Sequence, residues 1–170
     1  MYARMTITHR HLIFLAALAC AGLMAFALFL QQVLHLEPCP LCIFQRVFVM
    51  AIGAVALVAA LHNPGLLGRR LYTGLMGLLA IGGGAVAGRQ VWLQHLPADQ
   101  VPECGPGLEY MLESFPLNET LRLVLRGSGE CAKVEWTFLS FSIAEWMLVV
   151  FAGFLIYAIV LAGAKTFATR

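Results

Sequence analysis

A chain of 170 residues that is 61% hydrophobic and only 12% charged has too few charges to clothe a water-soluble domain of its size. Its formal net charge of +2 is too small and too dispersed for a nucleic-acid-binding surface, so no nucleic-acid partner is expected. The apolar residues gather into runs near 11–33, 43–61, 71–93 and 143–162, each close to the ~20 residues that cross a bilayer core. No backbone polar group goes unpaired in lipid, so each run is expected to be helical. The expectation is an all-α membrane protein, a four-transmembrane-helix bundle built as a single membrane domain over residues 1–170.

In chain order, Arg10 precedes the first run, and Ala17-Leu18-Ala19-Cys20 has some likeness to a lipoprotein cleavage site. The run continues through Phe29 and Leu30, longer than a signal core needs, so the span is read as retained and Cys20 as a small packing residue. The first outer loop, about 34–42, holds Pro38 and Pro40. Proline biases its predecessor away from helix and suits a first turn, which puts Cys39 just outside the second span and Cys42 inside its first turn. Asn63-Pro64-Gly65 is a breaker. The third run carries Gly82, Gly83, Gly84 and Gly88, small residues that let membrane helices approach closely, and is expected at the centre of the bundle.

The second outer loop, about 94–142, opens with Pro97, Pro102 and Pro106. Within it, Leu117 to Arg126 reads as a short interfacial helix, with Leu121, Val124 and Leu125 toward lipid and Arg122 and Arg126 outward. Trp92, Trp136 and Trp146 lie near the same boundary, as an aromatic belt or as a wall for a flat ligand.

Charge sets the orientation. Arg4, Arg10, Arg69, Arg70, Lys165 and Arg170 fall in three segments that share one side and contain no acidic residue, whereas Asp and Glu are confined to Glu37 through Glu145. Basic residues gather on the cytoplasmic side, so both termini are expected there. Both loops would then face outward, into the periplasm of a bacterium.

Four of the 5 cysteines form two pairs in those loops, Cys39 with Cys42 and Cys104 with Cys131. Exchange requires a thiolate. Cys42 would sit near a helix N-terminus, where the dipole favours an anion, with Arg46 on the same helical face. Arg46 reads either as this partner or as a snorkelling anchor. The loop pair reads as an inert disulfide or as a redox-active one that meets a soluble partner. A four-thiol zinc site lacks the tight spacing of a second knuckle, and no metal is expected. Two pairs at different depths suit a relay through a transient mixed disulfide. With no haem or flavin motif in the sequence, a lipid-soluble quinone suits the location and the two-electron count.

Glu37-Pro38-Cys39-Pro40-Leu41-Cys42-Ile43-Phe44-Gln45-Arg46 resembles the signature of the disulfide bond formation protein B (DsbB) family. Cys131-Ala132 with Trp136, Phe138-Leu139 and Trp146 resembles that family's entry into its fourth span. The resemblance covers nearly the whole chain. It implies a bacterial inner-membrane protein-dithiol:quinone oxidoreductase that reoxidises a periplasmic thioredoxin-like (DsbA-type) oxidase and reduces ubiquinone or menaquinone. It further implies that the partner's thiolate attacks Cys104, that Cys131 completes the loop disulfide, and that Cys39–Cys42 reoxidises it. Cys42 would then deliver electrons to the quinone, with Arg46 and His95 beside it. The chain departs from the family pattern at Pro40, where a Val is familiar, at Ser140, which replaces a glycine, and at Ala144, which replaces a proline.

Three rivals remain. A vitamin K epoxide reductase-like enzyme would carry its CxxC late in the chain. An exporter of reducing power would need thiols within the spans, where only Cys20 is available. A scaffold with a structural disulfide would leave Cys42 and Arg46 without a task.

Overall fold

The computed structural model describes residues 9–97, 99–103 and 108–163, and four helices among them are long and apolar enough to cross a membrane. These are α1 (His9–Val33), α2 (Pro40–His62), α3 (Leu66–Gln94) and, after three short helices and a hairpin, α7 (Ile143–Gly163). Arg4, Cys104, Gly105, Pro106, Lys165 and Arg170 lie outside the described residues.

Each long helix buries a narrow stripe and leaves large apolar side chains on its outer face. In α1 the stripe runs through Ile13, Ala16 and Cys20 to Leu30, while Phe14, Leu15, Leu18 and Phe29 are exposed. Recurrence at three and four residues is the helical period, and an apolar exterior is what lipid requires. The helices pack in the order α1 on α2, α2 on α3, α3 on α7, so α3 sits between α2 and α7. Its glycines make that possible. A Cβ on Gly82 would come within 2.7 Å of the Phe48 ring, and one on Gly83 would collide with the ring of Phe151. The main core thus interleaves aromatic rings with small residues (Cys20, Ala56, Ala80, Ala87, Ala158).

The α2–α3 turn follows from its sequence. Asn63 takes a left-handed conformation at φ 43°, its N–H bonded to Ala59 O, and Gly65 caps α3. This end of the bundle carries Arg69 and Arg70, and the cysteine loops lie at the other.

At the cysteine end, α4 (Leu108–Ser114), α5 (Leu117–Arg126) and α6 (Gly129–Ala132) fold over the bundle. The α5 boundaries match the amphipathic segment read from sequence, but one of its faces differs. Leu121 and Leu125 are exposed as expected, whereas Val124 is buried in a second small core with Leu41, Val86, Leu93, Met111 and Cys131. The loop is therefore packed onto the ends of α2 and α3, with Val124 turned into protein. Gly127, at φ 81°, permits the approach, since a Cβ there would collide with Leu93. Arg89 secures α5 from below, donating from Nη2 to Arg126 O at 2.9 Å, with its guanidinium 4.2 Å over the Trp92 ring.

The chain enters α7 through the hairpin β1 (Thr137–Phe138) and β2 (Phe141–Ser142). A reciprocal cap starts the helix: Ser142 N donates to Glu145 Oε2 at 2.6 Å and Glu145 N donates to Ser142 Oγ at 3.3 Å. This is the capping box that Ser142-Ile-Ala-Glu145 encodes.

Candidate functional site

Cys39 is the N-cap of α2 and Pro40 its first helical residue, as the proline placement predicts. The Cys39 sulfur accepts the Cys42 N–H at 3.4 Å and lies 3.0 Å from the Cys42 sulfur, an unbonded contact. Cys131 comes to the same point from the second loop. It is fully buried, and its sulfur takes hydrogen bonds from the Cys39 thiol and from the backbone of Leu41. Three sulfurs thus stand in a row, Cys42–Cys39–Cys131, at the start of one helix.

Electrostatics distinguishes Cys131 from Cys39. Cys131 is held down to about 6, first by the Cys39 thiol and then by the backbone groups of Ser128 and Leu41, against the opposing effect of burial. Cys39 is pushed up, because it is the hydrogen-bond donor to Cys131 and then to Cys42, and because it is buried. In the reduced row Cys131 is thus the more acidic of the two, and Cys39 keeps its proton. A thiolate at Cys131 is a good leaving group when the loop disulfide is opened.

Beside Cys42 lies a cavity of about 790 Å³. It sits between α1 and α7, whose Leu23–Leu30 and Ile143–Val150 segments form two of its sides, and the opposite ends of the two helices are tied by Tyr157 Oη donating to Leu12 O at 2.6 Å. Trp136, Phe138 and Trp146 close it at the loop end, with Trp136 stacked on Phe138 at 6.1 Å and 8°. Trp146 Nε1 holds the hairpin by donating to Phe138 O at 3.0 Å. The polar lining falls into two sets: Cys42, Gln45, Arg46, Gln90 and Gln94 from the long helices, and Glu37, Glu130, Lys133, Glu135 and Ser142 from the segments over their ends. A mostly apolar cleft with aromatic walls and a handful of directed polar groups fits a flat lipid-soluble ring carrying polar oxygens.

Arg46 lines this cavity one turn beyond Cys42, but it hydrogen-bonds to α1, from Nη1 to Gln31 Oε1 at 2.6 Å and from Nη2 to Ala27 O at 3.3 Å. Its fork retains donors for a ligand oxygen. His95, the C-cap of α3, is exposed, with Nδ1 2.8 Å from Val91 O, and is not among the cavity-lining residues. Trp136 and Trp146 are walls of the cavity, whereas Trp92 lies under Arg89.

Sequence reasoning passed over Gln90. It is buried, and its side-chain amide donates to Cys42 Sγ at 3.2 Å and to Cys39 Sγ at 3.4 Å while accepting from Gln45 Nε2 at 2.6 Å. A polar residue inside a glycine-rich membrane span was the available signal. Among the described residues, no three His, Cys, Asp or Glu side chains are grouped to hold a metal ion.

Comparison with known proteins gives the family. The model of the family "Disulfide bond formation protein DsbB" matches residues 9–161. Disulfide bond formation protein B of Chromobacterium violaceum is 55% identical over 161 residues, covering 95% of this chain and 97% of the relative. The Hahella chejuensis protein of the same name is 57% identical over 148 residues (87% and 90%), and disulfide bond formation protein B 1 of Pseudomonas aeruginosa is 51% identical over 151 residues (89% and 93%). The match spans all four long helices and both cysteine loops, and the chain belongs to the DsbB family of multi-pass, disulfide-forming membrane proteins.

Proposed function

We propose that this protein reoxidises a periplasmic thioredoxin-like (DsbA-type) oxidase through two disulfides in series and passes the electrons to a membrane quinone in the bacterial inner membrane. The observation that carries this reading is the row Cys42–Cys39–Cys131, one end buried under the outer loop and the other bordering an apolar cavity. Arg69 and Arg70 at the opposite end favour placing both termini in the cytoplasm and the cysteines in the periplasm.

The sequence of exchanges balances at each step. The partner's thiolate attacks Cys104 of the loop disulfide, forming an intermolecular disulfide and releasing Cys131 as thiolate. The partner's second thiol resolves that bond and leaves Cys104 reduced. Cys131 attacks Cys39 of the Cys39–Cys42 disulfide, and the electron pair of the broken bond goes to Cys42. Cys104 then recaptures Cys131 and frees Cys39, so the loop disulfide is restored and the CxxC pair holds two electrons and two protons. A quinone in the cavity is the two-electron acceptor that returns this pair to its disulfide. The chain's own residues prepare that event. Leu23, Met24, Met147 and the aromatic wall give the cavity an apolar lining suited to a lipid-soluble ring. Arg46 is placed to bind an oxygen of the ring, and His95, next to the cavity-lining Gln94, contributes from the rim.

The test is anaerobic mixing of the purified protein with a reduced DsbA-type oxidase and soluble ubiquinone or menaquinone analogues, following quinone absorbance. Catalytic loss that requires both Cys42 and Cys104 is the expected result. No reduction of either analogue, with all thiols reactive, would overturn the quinone assignment.

A further inference from the structure

A glutamine pair crosses the bundle directly beneath the CxxC sulfurs. Gln45 on α2 is 2% exposed and Gln90 on α3 is 4% exposed. Two buried amides need no more than one another for a hydrogen bond between helices, and such pairs occur as packing contacts in membrane bundles. This pair does more, because the NH2 of Gln90 reaches both Cys42 and Cys39. The Gln45 amide meets Gln90 Oε1 at 2.6 Å, which turns the carbonyl toward α2 and leaves the NH2 facing the sulfurs. No acidic side chain lines the cavity from α3 or α7 to compete for those N–H groups, since Glu37, Glu130 and Glu135 come from the loops at its rim.

The redox consequence is one-sided. A disulfide sulfur is a weak acceptor, whereas a reduced sulfur, above all an anionic one, is a strong one. N–H groups fixed on Cys39 and Cys42 therefore favour the dithiol form over the disulfide. The same contacts hold Cys42 at the cavity wall.

Resting on the relay reading above, we propose that Gln90 sets the redox poise of the Cys39–Cys42 pair, with Gln45 as the positioning residue that fixes its amide. The pair is thereby kept oxidising enough to accept electrons from the loop cysteines. Removing the donor makes the pair harder to reduce and slows its uptake of electrons from Cys131.

The experiment needs neither quinone nor partner. Quinone-free full-length protein carrying Cys104→Ser and Cys131→Ser is equilibrated with graded ratios of reduced and oxidised dithiothreitol. The Cys39–Cys42 redox state is then read by alkylation and mass. Gln90→Met, close in shape but without a donor, is expected to shift the equilibrium about tenfold toward the disulfide, which is about 30 mV for a two-electron couple. Gln45→Met is expected to shift it in the same direction by less, and it decides the matter should Gln90→Met not fold. Equal equilibrium constants in parent and variants would overturn the inference. A shifted constant in a protein that reduces no quinone would leave it standing and remove the acceptor instead.

Discussion

Cys131 and Cys39 come from different loops yet share a hydrogen bond at the first turn of α2, with the backbone of Leu41 contributing a second bond to the Cys131 sulfur. The step between the two disulfides therefore needs little loop movement once Cys131 is free, because the attacking and receiving sulfurs are already neighbours.

That contact fixes a pH profile. The value of about 6 for Cys131 belongs to the row with Cys39 reduced, whose thiol is its largest cause. With Cys39 in its disulfide that donor is gone, so the pH midpoint of the Cys131 attack on Cys39 should lie above about 6. Below the midpoint the thiolate fraction falls about tenfold per unit, and the rate falls with it. An ordinary thiol gains rate up to about 8.5. Rapid-quench alkylation of a Cys104→Ala variant, with the CxxC pair oxidised and Cys131 reduced, measures the rate. A midpoint no higher than that of Cys131 alkylation beside a reduced Cys39 would remove the role assigned to the Cys39 hydrogen bond.

The close approach of α3 and α7 rests on Gly83, over which the buried Phe151 ring lies. Gly83→Ala should destabilise the bundle by about 1–3 kcal/mol through overpacking. Phe151→Leu in the same chain should recover part of that loss, so the two changes should be non-additive in thermal unfolding in detergent. Additive losses would show that the helix contact is set elsewhere.

The hairpin before α7 holds two non-glycine residues in left-handed geometry, Leu139 at φ 51° and Ser140 at φ 69°. Two-residue hairpin turns with positive φ at both positions favour glycine and asparagine, and a side chain there costs about 1–2 kcal/mol. Ser140 stands where related sequences are expected to carry glycine, and its φ gives the physical reason. Ser140→Gly should raise the melting temperature by about 2–4 °C in a chain of this size, and Ser140→Val should lower it. Quinone reduction should change little in the glycine variant, since Trp146 still holds the hairpin through Phe138 O.

The long helices were legible because lipid imposes one pattern, apolar runs of spanning length, and the proline and glycine breakers marked their ends. The Cys39 cap was equally plain, since Pro40 can occupy only a few positions. The second loop was harder to read. Its residues serve a local core, so Val124, which fits an amphipathic pattern facing lipid, turns instead onto Leu41, Leu93 and Cys131. No local pattern announces that Cys131 returns to Cys39, because the meeting depends on how α5 and α6 fold over the bundle. Gln90 was visible as a polar residue in a span, but its meaning required Gln45 and both sulfurs in three dimensions. Arg46 follows Cys42 by one helical turn and lines the same cavity, yet its bonds to Gln31 and Ala27 come from α1, whose register the sequence does not specify.

Those bonds shape the last prediction. Anchored on α1 and lining the cavity, Arg46 presents a guanidinium whose position is fixed before a ligand arrives. A charged hydrogen bond to a ring oxygen contributes about 1.5–3 kcal/mol, so Arg46→His should lower kcat/KM for quinone by about 10- to 100-fold. The rate at which a reduced partner exchanges with Cys104 should be unaffected, because that chemistry lies in the outer loop. Arg46→Lys should rescue only part of the loss, since an ammonium cannot span both α1 and a ligand as the planar fork does. His95→Ala should cost less than Arg46→His, as His95 is bonded to Val91 O and stands outside the cavity wall. Single-turnover kinetics that separate partner exchange from quinone reduction test all three variants, and an undiminished quinone rate in Arg46→His would sink the assignment.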